Sequence, residues 1–137
     1  VREHVSTTVN TTLLYTYMEI GRVIAEDLML HIEDRQYEVN LIRELSKKLT
    51  NKYDRVFSKS NIYNMISFYT NYNSVQSLTS QLIWTHYCEL LSINDKDRRT
   101  FYEKECVNAK WSVRELKRQI ASSLYERLLL SNGESNK

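Results

Sequence analysis

The chain has no proline and only two glycines in 137 residues. Sandwiches, barrels and propellers turn about every 8–12 residues, and those turns consume Gly and Pro. Gly21 and Gly133 stand alone, so a glycine-rich phosphate loop is excluded as well. Helices are the architecture left to such a chain. At this length it makes one domain, or one with a short appendage. It buries roughly two-thirds of its unfolded surface and so needs no disulfide or metal staple.

Apolar residues recur at helical spacing. Val5, Val9, Leu13, Tyr17, Ile20, Ile24 and Leu28 predict one long first helix, followed by a polar loop over residues 31–36. Ile42, Leu45, Leu49 and Tyr53 predict a second helix over residues 37–53. Ser58 is a good N-cap for a third helix over 58–71, with Phe57 and Ile62 as its hydrophobic staple. Residues 71–80 are the most linker-like stretch. A short helix is expected over 85–92, then one capped by Asn94 with Phe101, Tyr102 and Cys106 inside. Ser112 and Glu115 read as a capping box with Trp111 and Leu116 as staple. From there a last helix is expected to run to Leu130, stopping at Asn132-Gly133 before a frayed tail over 132–137. The expectation is an all-α domain over residues 1–131, of five to six helices, with room for a small wing near residues 72–83.

Charge is unevenly distributed. Residues 1–38 hold three basic side chains against seven acidic ones, whereas residues 43–59 hold six basic against two acidic. Such asymmetry fits a surface facing an anionic partner. A solvated helix face would give the same pattern. Cys88 and Cys106 are isolated, which fits a reducing compartment and a cytoplasmic location. No apolar run approaches the ~18 residues of a membrane span.

Enzyme chemistry finds little support. His4, His31 and His86 are scattered, with no pair at metal-ligand spacing, and no nucleophile elbow exists. His86 reads as a hydrogen-bonded core histidine. Glu115-Leu116-Lys117 spells the Glu-x-Lys of metal-dependent nucleases, but Glu115 is already assigned to the capping box. The expectation is a chain that is not itself an enzyme and takes no cofactor.

The pair of helices around residues 54–57 has helix-turn-helix spacing. Its second helix carries Ser60, Asn61, Tyr63, Asn64 and Ser67 on a polar front. Asn can bond adenine edges, and Ser and Tyr can reach bases or phosphates. Lys47, Lys48, Lys52, Arg55 and Lys59 can hold a phosphate strand. An ordinary amphipathic helix remains the bland alternative.

Several segments resemble one family. They are Tyr17-Met18-Glu19-Ile20-Gly21, Phe57-Ser58-Lys59-Ser60-Asn61-Ile62-Tyr63-Asn64-Met65, Gln81-Leu82-Ile83-Trp84-Thr85-His86-Tyr87, Phe101-Tyr102-Glu103-Lys104-Glu105, residues 111–120 (WSVRELKRQI) and Leu124-Tyr125-Glu126-Arg127-Leu128. Together they resemble the N-terminal domain of the YhcG-type PD-(D/E)xK nuclease family over residues 11–131. The resemblance implies a helical module compared with winged helix-turn-helix domains. It implies double-stranded DNA as partner, and a C-terminal nuclease domain that this chain lacks. The chain departs from the family pattern at Met18, where Trp is frequent, and at Ala121, where Asp is common. A second expectation is a protein–protein module, with the first and last helices pairing two copies in a homodimer. The two can coexist, since dimers often read two half-sites.

Overall fold

The computed structural model describes the backbone of residues 2–135 and the side chains of residues 8–74 and 76–132. Among these, seven α-helices and two 3-10 turns are present and no strand. They are α1 (Arg2–Met29), α2 (Arg35–Tyr53), α3 (Lys59–Tyr72), α4 (Trp84–Leu91), α5 (Lys96–Ala109), α6 (Val113–Ala121) and α7 (Leu124–Ser135). The 3-10 turns are Arg55–Phe57 and Val75–Ser77. Contacts divide the chain after Ser80 into two compact units.

In the first unit α1 packs most extensively on α3. The crossing is at Gly21, where an added Cβ would stand 2.0 Å from the Met65 carbonyl oxygen. Only a residue without a side chain allows that approach. Ile24, Ile42 and Ile62 bring α1, α2 and α3 together, with Leu28, Leu45, Phe57 and Ile66 against them. The inward face of α1 runs through Leu14, Tyr17, Met18 and Ile24. Val9 and Leu13, expected inside, are exposed, because the face turns about Gly21 and takes Leu14 and Met18 instead. Val5 lies outside the residues whose side chains are described. Tyr53 is exposed too, at the end of the α2 stripe, with its ring edge-on to Phe57.

The wing near residues 72–83 is not formed. Asn73 closes α3 in a left-handed conformation, φ 62. The Ser77 hydroxyl oxygen lies 2.7 Å from the carbonyl oxygens of both Tyr72 and Ser74, and its one proton serves the two. The start of the segment closes into a 3-10 turn over Val75–Ser77, and such local serine bonds compete with strand pairing there.

In the second unit Tyr87, Leu90, Tyr102 and Leu116 are fully buried. Asp95, rather than Asn94, caps α5, accepting from the Asp97 N–H at 3.1 Å. Ser112 caps α6 as expected, accepting from the Glu115 N–H at 3.1 Å. The return half of the box is absent: Glu115 instead accepts from Arg118 and Gln119. The expected single last helix breaks at Ser122-Ser123. Ser123 takes φ 58, and the Ser122 hydroxyl donates to Gln119 O at 3.1 Å. The buried Tyr102 hydroxyl bridges the break, donating to Gln119 O at 3.5 Å and accepting from the Tyr125 N–H at 3.1 Å. Helix α7 continues past Asn132-Gly133 to Ser135, beyond the expected stop.

Candidate nucleic-acid interface

The segment joining α2 to α3 is short and firmly tied. The Asp54 N–H donates to Thr50 O at 3.0 Å and the Ser58 N–H to Arg55 O at 3.0 Å. Asp54 itself has φ 87 and ψ −176, a region that strains any residue but glycine. Ser58 accepts from the Asn61 N–H at 3.2 Å and so caps α3. The Asn61 side-chain amide donates back to Val56 O at 2.6 Å. These bonds fix where α3 begins, and with it which side chains turn outward.

Lys47, Lys48, Lys52, Arg55, Lys59 and Ser60 are all exposed. On α2, Lys48 and Lys52 lie one turn apart on one face, and Lys47 is about 100° further round. The Lys52 ammonium stands 5.2 Å from the centre of the Tyr53 ring, a cation–π distance. On α3, Tyr63 is 42 % exposed, while Asn64 and Ser67 are half-buried. Asn61 does not fit the expected reading face, because its amide is spent on the Val56 carbonyl. The Ser67 hydroxyl accepts from Asn71 at 3.1 Å. Thr70, seven residues beyond Tyr63, is also exposed, but its hydroxyl donates to Ile66 O at 2.9 Å and it lines a cleft against the end of α1.

Four cations outside this segment are ion-paired among the described residues; eight others, like those of this segment, are not, so what distinguishes residues 47–59 is how densely their cations are set. Arg22 binds Glu19 and Glu26, Arg118 binds Glu115, Arg98 meets Glu126 at 2.7 Å, and Lys117 meets Glu89 at 3.6 Å. Among the described residues, Lys47, Lys48, Lys52, Arg55 and Lys59 form no such ion pair.

The residues weighed for enzyme chemistry are engaged otherwise. Arg118 and Gln119 beside Glu115 hold its carboxyl down to about 2. His86 accepts from the Ile83 N–H at 3.2 Å and, with the proton assigned to Nε2, donates to Trp111 O at 2.9 Å. His31 stacks on Tyr37 with ring centres 3.8 Å apart. The buried Cys106 thiol is pushed up to about 11 by burial and by Glu103, which suits a packing role rather than a nucleophile. Among the described residues no group of three or more His, Cys, Asp or Glu converges as metal ligands. No helix there is long and apolar enough to cross a membrane.

Comparison with known proteins agrees with the motifs. Residues 1–127 match the family model described as DUF1016 N-terminal domain. The chain is 36% identical over 159 residues, covering 93% of its length, to the protein of Escherichia coli (strain K12) named "Putative nuclease YhcG". It spans 42% of that relative's length. No solved structure gives a significant match. The chain belongs to the DUF1016 N-terminal domain family.

Proposed function

We propose that this chain is a DNA-binding module that brings an attached nuclease domain to duplex DNA. The observation that carries the reading is the run of five exposed cations without carboxylate partners around the α2–α3 connection. Helix α2, the connection and α3 act as a helix-turn-helix. Lys47, Lys48, Lys52, Arg55 and Lys59 hold phosphates, while Ser60 and Tyr63 approach the groove, with Asn64 and Ser67 at its edge. Asn61 serves as the clip that sets the α3 start. The name of the relative supports the nuclease half of the proposal.

Duplex binding should be measured by fluorescence anisotropy at low and moderate salt. Each phosphate neutralised adds about 0.9 to the fall of log K with log salt. Changing Lys47, Lys48 and Lys52 together to Ala should reduce that slope by about 2–3 and weaken binding at least about tenfold. No binding at low salt, or an unchanged slope, overturns the reading.

One observation favours a second reading, a pairing module. Leu128, Leu129 and Leu130 of α7 are 42 %, 54 % and 70 % exposed, and exposed apolar stretches mark interfaces. A concentration-dependent dimer in sedimentation, with no affinity for duplex, would leave that reading standing alone.

A further inference from the structure

The first unit carries a cleft of about 670 Å³ between the end of α1, the turn into α2, and the second half of α3. Leu28, Met29, Ile32, Ile66 and Tyr69 give it an apolar lining. Met29 and Ile32 are 67 % and 72 % exposed, and Leu30 beside them is 81 % exposed. A turn needs no apolar side chains, so their display to water asks for an occupant. The wall is well built. Asp34 caps α2 through the Tyr37 N–H at 3.0 Å. The Tyr37 hydroxyl donates to Asp27 at 2.5 Å, and the His31 ring stacks on Tyr37.

The rim is acidic. Residues 26–38 hold Glu26, Asp27, Glu33, Asp34 and Glu38 against the single guanidinium of Arg35. Glu26, Asp34 and Glu38 line the cleft itself together with Arg35 and His31, so carboxylates outnumber the guanidinium there three to one. Of these, Glu26 is shared with Arg22. An open apolar floor edged by carboxylates matches one chemistry: an amphipathic helix with apolar anchors on one face and basic residues beside them. Polyanions are repelled by the same rim. We propose that this cleft docks a cationic amphipathic helix of a partner protein. The site is independent of the duplex reading, because it uses none of the cations of residues 43–59.

The test uses the 137-residue chain and a fluorescein-labelled helical peptide of about 18 residues, long enough to hold helix. The peptide carries Leu at i, i+3, i+4 and i+7, Lys at four positions beside them and Ala elsewhere, which keeps it helical. A control peptide carries Glu in place of every Lys. The cationic peptide should bind at least about tenfold more tightly than the acidic one. Amide shifts on binding should cluster at residues 25–38 and 66–73. Ile32→Ser and, separately, Glu38→Lys should each weaken binding several-fold, with the circular dichroism of both variants unchanged. Equal affinity for the two peptides, no binding of either, or shifts confined to other residues would overturn the proposal.

Discussion

Gly21 decides how closely α1 and α3 meet, and its replacement gives a sign that is easy to read. At an open helical position Gly→Ala stabilises by about 0.8–1 kcal/mol through helix propensity. Here the new methyl would stand 2.0 Å from the Met65 carbonyl oxygen and 2.6 Å from its carbon. Both are backbone atoms of a helix and cannot rotate aside, so the helices must separate. Overpacking of this kind costs about 1–3 kcal/mol, which outweighs the propensity gain at all but the low end of that range. Gly21→Ala should therefore lower stability to chemical denaturation, and amide protection should fall along α1 and α3. A stabilised variant would show that the crossing is looser than the geometry states. Asn61 teaches a related lesson. Its type and position read as a base contact, yet the structure spends its amide on Val56 O. An Asn three residues after a capping Ser is equally suited to bind the turn behind it, and sequence pattern does not distinguish the two uses.

At the level of elements, the two serine caps were legible, whereas Asp34 and Asp95, whose side chains bond just as locally, were not read. Ser58 and Ser112 both cap as expected. The break between α6 and α7 was not legible. Val113, Leu116, Ile120, Leu124 and Leu128 keep helical spacing straight through it, so the periodicity carries no interruption. What stops α6 is a pair of serines and a bridging Tyr102 hydroxyl contributed by α5. That last contact is tertiary and lies 17 to 23 residues away in sequence. The wing differs: where it was expected to start, the Ser77 hydroxyl bonds locally to the carbonyls of residues 72 and 74. Glu115 lends α6 a pH dependence with a definite sign. Its carboxyl is depressed from the ordinary 4.5 to about 2, first by the Arg118 hydrogen bonds and then by Gln119. A depressed acid stabilises the fold above its unfolded value, and the contribution is lost as pH falls through its folded value. The loss should therefore span pH 4.5 down to about 2. The titration of the Glu115 side chain by NMR should have its midpoint at the lower value, and Arg118→Ala should raise it. A midpoint near 4.5 in the unmodified chain would show that the pair does not persist in water.

For the molecule as a whole, the charge asymmetry read from sequence becomes a dense run of five exposed cations over residues 47–59, none of them ion-paired among the described residues. Eight cations elsewhere are unpaired too, so it is the local density of charge that marks the segment. Binding and cutting should then be separable. The one stretch with nuclease lettering, Glu115-Leu116-Lys117, is committed to other work. Glu115 holds Arg118 and Gln119, and Lys117 faces Glu89 at 3.6 Å. A carboxylate that must release two donors before it can accept Mg²⁺ starts at a disadvantage, and a lysine next to a glutamate is poorly placed to neutralise a phosphate. The expected outcome is that the 137-residue chain, incubated with duplex DNA and Mg²⁺, raises the anisotropy of the duplex while leaving every strand intact on a denaturing gel. The comparison that decides the matter is Glu115→Gln. If the chain cleaves and that variant does not, the stretch is catalytic and the role of α6 must be rewritten. If the chain binds without cleaving and the variant binds equally well, Glu115 is a helix-stabilising residue.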